Sequence, residues 1–100
     1  MIAKKHKSNE GKIILAVCDS HLTGKKIIEG DFQLDLTCDF YKGEEKSEQE
    51  IIEMIKEADI VNAVGEGAVS LLKKIKLIEK SSRIFSVMGV PHAEVVIERE

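Results

Sequence analysis

The chain reads as a single compact α+β domain: a mainly antiparallel sheet with two helices, in the order ββββ-α-β-α-ββ. Three observations predict this. Short apolar or alternating runs, among them 13–18, 32–36, 84–87 and 94–97, are bounded by Gly, Asn, Asp and Ser, as strands are. Two stretches, 47–59 and 66–76, instead carry their apolar residues at helical spacing. One hundred residues with 43% hydrophobic content can bury one small core, which leaves little for a deep, enclosed active site. No repeat, low-complexity tract or linker divides residues 1–100.

The elements follow in order. Ile2 to His6 alternates weakly, Ser8-Asn9-Glu10-Gly11 turns, and Ile13 to Cys18 is continuously apolar, so a hairpin with a buried second strand is expected. Asp19 to Gly24 breaks the pattern with side-chain oxygens and a glycine. Lys25 to Glu29 and Phe32 to Leu36 flank Gly30-Asp31 as a second hairpin, and Cys38 to Lys46 reads as a polar loop carrying Phe40 and Tyr41. Ser47 with Glu50 spells a capping box, and Ile51, Ile52, Met54, Ile55 and Ala58 share one side of a helix running to about Asp59. Ile60 to Val64 is β-branched and short, a buried strand ending at Gly65. Glu66 to Lys76 is helical, with Lys73, Lys74 and Lys76 where the dipole favours cations. Ile84 to Val87 and Glu94 to Ile97 are strands around a turn at Met88-Gly89-Val90-Pro91-His92. That turn combines the single proline of the chain, a glycine and a titratable imidazole.

Composition excludes several classes of protein. No apolar run approaches the roughly 18 residues of a membrane span, and the start lacks the apolar stretch of a signal peptide, so a cytoplasmic protein without membrane contact is expected. Cys18 and Cys38 form no CxxC pair, which suggests neither a disulfide framework nor a zinc site. Charge is divided along the chain: residues 1–30 hold six lysines against three acids, and residues 31–60 hold ten acids against three lysines. Such asymmetry suits a basic face for RNA, an acidic face for a basic partner, or a surface that is simply soluble.

Several short motifs, taken together, resemble a known family: Ala16-Val17-Cys18-Asp19, Leu22-x-Gly24-Lys25, Glu29-Gly30, Phe40-Tyr41-x-Gly43, Asn62-x-Val64-Gly65-Glu66-x-Ala68-Val69 and Gly89-Val90-Pro91-His92-Ala93. The family is one of archaeal proteins of about this length, catalogued as a domain of unknown function. The likeness runs from the first hairpin to the strand after His92. It implies an archaeal cytosolic protein of α+β fold and implies no activity.

Candidate chemistry gathers at few places. Cys18, Asp19 and His92 have the residue types of a nucleophile, an orienting group and a base, although a cysteine closing an apolar strand is ordinarily a buried, inert thiol. His6, His21 and His92 with Asp19 match no closed metal site, so no metal and no cofactor is expected. Gly65-x-Gly67 at a strand-to-helix junction can present N–H groups to a phosphate. It lacks the third glycine of a dinucleotide site and the Gly-Lys-Ser/Thr of a P-loop, and Glu66 would repel the anion. Asn62 places an amide inside an apolar strand and requires partners. Asn62, Glu66 and His92, flanked by Cys18, Asp19 and Tyr41, therefore form the candidate polar site.

Lys4, Lys5 and Lys7, extended by Lys25 and Lys26, are candidate phosphate contacts, or else guards of an exposed sheet edge. The leading expectation is a non-enzymatic binding domain for RNA or a ribonucleoprotein, within translation. Two rivals stand beside it: a small hydrolase or transferase using Cys18 or His92, and a protein adaptor docking through residues 31–59 with Phe40 and Tyr41 as anchors. Exposed sheet edges would also permit a homodimer.

Overall fold

The structure is a computed structural model that describes residues 1–78 and 83–97. Among the described residues eight strands form: β1 (Ile2–Lys7), β2 (Ile13–Cys18), β3 (Lys26–Glu29), β4 (Phe32–Asp35), β5 (Glu44–Glu45), β6 (Ile60–Val64), β7 (Arg83–Val87) and β8 (Val90–Val96). Two helices join them, α1 (Glu48–Ile55) and α2 (Glu66–Lys74), with short 3-10 turns at Ser20–Leu22 and Asp39–Tyr41. The main sheet has the order β5-β1-β2-β6-β8-β7, while β3 and β4 make a separate two-stranded ribbon. All its pairings are antiparallel except β2 with β6, where Ile14 lies beside Ile60 and Cys18 beside Val64. The fold is thus the mainly antiparallel α+β arrangement expected, with one parallel seam at its centre.

Strand alternation decides the two faces. Ala3, Leu15, Val17, Val61, Ala63, Ala93 and Val95 point to one face and form the larger core with Ile51 and Ile55 of α1 and Ala68, Val69, Leu71 and Leu72 of α2. Ile51 is fully buried and Leu72 nearly so, each contributing about 2 kcal/mol of apolar burial. A smaller core of Cys18, Leu22, Leu36 and Val64 lies on the opposite face, roofed by Ile27 and Leu34 of the ribbon and by Tyr41.

The structure corrects four local expectations. Helix α1 stops at Ile55 instead of running to Asp59, because Asp59 is drawn to the start of β2: its carboxylate accepts the Ile13 N–H at 2.8 Å, and its own N–H donates to the Ile13 carbonyl at 2.8 Å. Helix α2 stops at Lys74. Lys76 turns left-handed (φ 62°), its N–H bonds the Lys73 carbonyl, and the Leu77 N–H bonds the Leu72 carbonyl, a Schellman ending closed by the Leu77 side chain against the core. The turn read at residues 88–92 is only Met88-Gly89. Both have positive φ (50° and 77°), the hairpin geometry that matches strand twist, so Val90, Pro91 and His92 already belong to β8. The polar loop contains β5, which pairs with Ile2 and Ala3 and leaves the lysine-rich remainder of β1 at the sheet edge.

Candidate functional site

The parallel strands β2 and β6 end side by side, and there the chain completes helix α2 from a distance. Gly65 occupies the N-cap position with φ 106° and has no side chain to offer. Asp19, directly after β2, supplies the missing acceptor: Oδ2 accepts the Gly67 N–H at 2.9 Å and Oδ1 the Ala68 N–H at 2.8 Å. The Asp19 backbone is fixed as well, its N–H donating to the Val64 carbonyl at 3.0 Å. At 8% exposure, it is the one buried charged residue among those described. Both glycines have a steric reason. A Cβ on Gly67 would lie 2.8 Å from Asp19 Oδ1, and one on Gly65 would overlap the same carboxylate. Gly65-Glu66-Gly67 therefore seats an internal anion where a phosphate loop would seat an external one. Glu66 itself points outward, beside an open hollow of about 390 Å³ that Asp19, His21 and Pro91 also line.

Cys18 is sealed at 1% exposure, its thiol donating to the Asp19 carbonyl at 3.4 Å. Burial pushes its pKa up to about 11, a hydrogen bond with Thr23 acting in the opposite sense. Nucleophilic catalysis needs a thiolate near neutral pH, and here burial outweighs the hydrogen bond that would favour one.

Asn62 and His92 fall on the face opposite the helices. Asn62 lies between Ala16 of β2 and Glu94 of β8, and Val64, two residues on, pairs with His92, so Asn62, His92 and Glu94 share that face. Burial lowers the His92 pKa while the Glu94 charge raises it, and His92 Nε2 is buried without a hydrogen-bond partner. Tyr41 adjoins the same strip: burial first, then the charges of Cys18, Cys38 and Glu94, push its pKa to about 12. Tyr41 is the flanking residue that the sequence offered, and Glu94 is the site neighbour that sequence reading missed. Glu94 could have been found from the alternation of His92, Glu94 and Val96 with the core residues Ala93 and Val95.

The remaining candidates are dispersed. Phe40 stacks on His6, with centroids 4.4 Å apart and planes 4° from parallel, and meets Tyr41 edge-on at 5.0 Å. His6 Nε2 also bonds the Phe40 carbonyl at 2.9 Å, and Lys4 Nζ donates to the Asp39 carbonyl at 2.8 Å. These contacts pin the 39–41 turn over β1, which takes both aromatics out of the role of exposed anchors. Lys5 projects to the helical side and pairs with Glu57 at 3.2 Å. Lys7 lies at the end of β1 beside Ile13, whereas Lys25 and Lys26 follow Cys18 at the other end of β2, about 17 Å away along the strand. The five lysines do not form one stripe. Nor do the histidines converge, and no group of three His, Cys, Asp or Glu able to hold a metal occurs among the described residues. No helix there is long and apolar enough to cross a membrane.

The structure thus brings Asn62 and His92 onto one strip with Glu94 and Tyr41, seals Cys18 beneath it, and places Asp19 and Glu66 at the α2 end. No curated protein is significantly similar to the chain. A solved structure with the same fold is that of an uncharacterized conserved protein from the archaeon Methanopyrus kandleri, 26% identical, with a TM-score of 0.77 over 99% of this chain and 93% of that one. Residues 6–97 match the model of a family described as a protein of unknown function, DUF424, and the chain belongs to that family.

Proposed function

We propose that this is a non-enzymatic binding domain whose partner is RNA or a ribonucleoprotein, met beside the ribbon on the sheet face that neither helix covers. The observation that carries the reading is the division of labour between the two faces. Cys18 and Asp19, the groups best suited to covalent or acid-base chemistry, are used internally, whereas Asn62 and Glu94 stand on a strip that neither helix covers. An amide offers both donors and acceptors to a base edge, and a carboxylate accepts from an exocyclic amine. Lys25 and Lys26, exposed at the start of the ribbon, would hold phosphate without specifying sequence, whereas Lys7, like Lys5, projects to the helical side.

The test is fluorescence anisotropy of labelled single-stranded RNA at low and moderate salt, together with recovery of the tagged protein from its host under mild conditions before and after nuclease. Binding should weaken with salt. The double variant Lys25→Glu/Lys26→Glu should reduce the salt slope, and Asn62→Ala should weaken binding by about fivefold or more, as loss of a base contact does. Absence of binding at low salt, or affinities indifferent to all three residues, overturns the reading.

A further inference from the structure

We infer that β7 is the contact edge of a symmetric homodimer, two copies pairing through it to make one continuous sheet. β7 closes the main sheet on one side, β8 being its neighbour and no described strand lying beyond it. The opposite edge is β5, two glutamates long, a short charged border of the kind that discourages strand addition. Beyond Arg83 at its start, β7 has no such protection. Residues 84–88, Ile-Phe-Ser-Val-Met, carry no charge in a chain that is 33% charged. The three most exposed large apolar side chains nearby are Phe32 at 69%, Met88 at 63% and Phe85 at 57%, with Ile84 on the helical side of the same edge. Phe32 and Phe85 flank one open cleft of about 280 Å³ between the ribbon and β7.

The hydrogen-bond register selects the occupant. A two-residue turn makes Val87 and Val90 a hydrogen-bonded pair, so Phe85 and His92 form the next one, and Ile84 and Ser86 must turn their N–H and C=O groups away from β8. Pro91 fits this register: opposite Ser86 in a non-bonded pair, it needs no N–H toward β7. An antiparallel second copy places Ile84 against Ser86 of its mate and Ser86 against Ile84, satisfying every one of these outward groups in both chains. The two-fold axis then passes between the two Phe85 residues, a non-bonded pair in which side chains approach most closely.

Charge argues for the same occupant. Each copy carries a net charge of −3, so copies repel except where they are neutral, and residues 84–88 are such a stretch, with Glu29 of the adjacent cleft as a lone carboxylate among its apolar lining. Phe32, Phe85, Met88 and Ile84 leave on the order of 400 Å² of apolar side chain uncovered per copy, and a symmetric pair with its strand backbones reaches the roughly 1,000 Å² that a specific interface needs.

Sedimentation velocity of the full chain over a concentration series, with light scattering for mass, tests this. The expected mass is twice the 11.1 kDa of the chain. Ser86→Pro removes only an outward N–H, and Phe85→Glu charges the axis; each should raise the dimer dissociation constant by about 30-fold or more, with circular dichroism and melting of the monomer retained. Val96→Glu, at an exposed apolar residue on the same face at the far end of β8, should leave the dimer intact. A wild-type chain that stays monomeric at its highest soluble concentration overturns the inference. So does a dimer that survives both β7 substitutions, or a different protein held on this edge in place of a second copy.

Discussion

Asp19→Ala is the substitution that most directly tests how the parallel seam and α2 hold each other. The carboxylate accepts two N–H groups at 2.8 and 2.9 Å from a position 8% exposed, so removing it strips a helix cap and strands two donors with little access to water. Loss of a cap costs about 0.5–2 kcal/mol, and a buried donor left without a partner about 1–3 kcal/mol. Since water can enter the truncated site in part, a total of about 3 kcal/mol is expected. For a domain of this size that lowers the melting temperature by roughly 12–24 °C. Asp19→Asn keeps one acceptor oxygen and should cost about half as much. Urea unfolding followed by circular dichroism would show a lower midpoint at unchanged slope. A change below about 0.5 kcal/mol would mean that α2 is capped adequately by solvent, and the structural role given to Asp19 would be wrong.

The same pair yields a test that depends on sign. Gly67 lies in the first turn of α2, where alanine would ordinarily be favoured by up to about 1 kcal/mol. Its Cβ would meet Asp19 Oδ1 at 2.8 Å, so Gly67→Ala in the native chain should destabilise by about 1–2 kcal/mol, as overpacking does. In the Asp19→Ala background the obstruction is gone, and Gly67→Ala should stabilise. Equal effects in both backgrounds would refute the close approach of glycine and carboxylate.

Two further outcomes follow from the site. Alkylation of the native chain at neutral pH should modify Cys38, which is exposed, and spare Cys18, whose pKa is pushed to about 11; intact mass should show one adduct before unfolding and two after, and rapid modification of Cys18 would contradict its burial. Burial holds the His92 pKa below the ordinary imidazole value of about 6.5, so between those two values the unfolded chain binds more protons than the folded one. The stability tied to neutral His92 is therefore present above pH 6.5 and is lost as pH falls through the folded value. The difference in unfolding free energy between the native chain and His92→Gln should shrink on that acid limb, whereas parallel profiles from about pH 7 to about pH 5 would show that His92 does not sense folding.

What the sequence revealed and what it hid divide by the distance between interacting groups. The capping box of Ser47 and Glu50 was readable because both partners lie within four residues, and in the structure each accepts the other's backbone N–H at 3.1 Å. The face of β8 was readable from alternation. The parallel pairing of β2 with β6 was not, because it is made across the β3–β4 hairpin, β5 and helix α1, which carry no mark of it. The ending of α2 was hidden for another reason: a left-handed lysine at position 76 contradicts local preference and is held by the core contact of Leu77.

Asp19 lies between these cases, and it explains why the site was only half legible. Two incomplete signals stood in the sequence: a helix whose N-cap is a glycine without an oxygen to offer, and an aspartate closing an apolar strand with no helix after it. Each completes the other once β2 and β6 lie parallel. The same logic separates Glu66 from Asn62 and His92. A Gly-x-Gly turn at a helix start presents N–H groups to whichever anion reaches it, and here the nearest is the chain's own carboxylate, held by two hydrogen bonds. An external phosphate would have to displace Asp19 from a buried position before it could bind. The start of α2 is thus already committed to Asp19, which leaves the strip of Asn62 and Glu94, on the sheet face that neither helix covers, as the place where the proposed binding is to be tested.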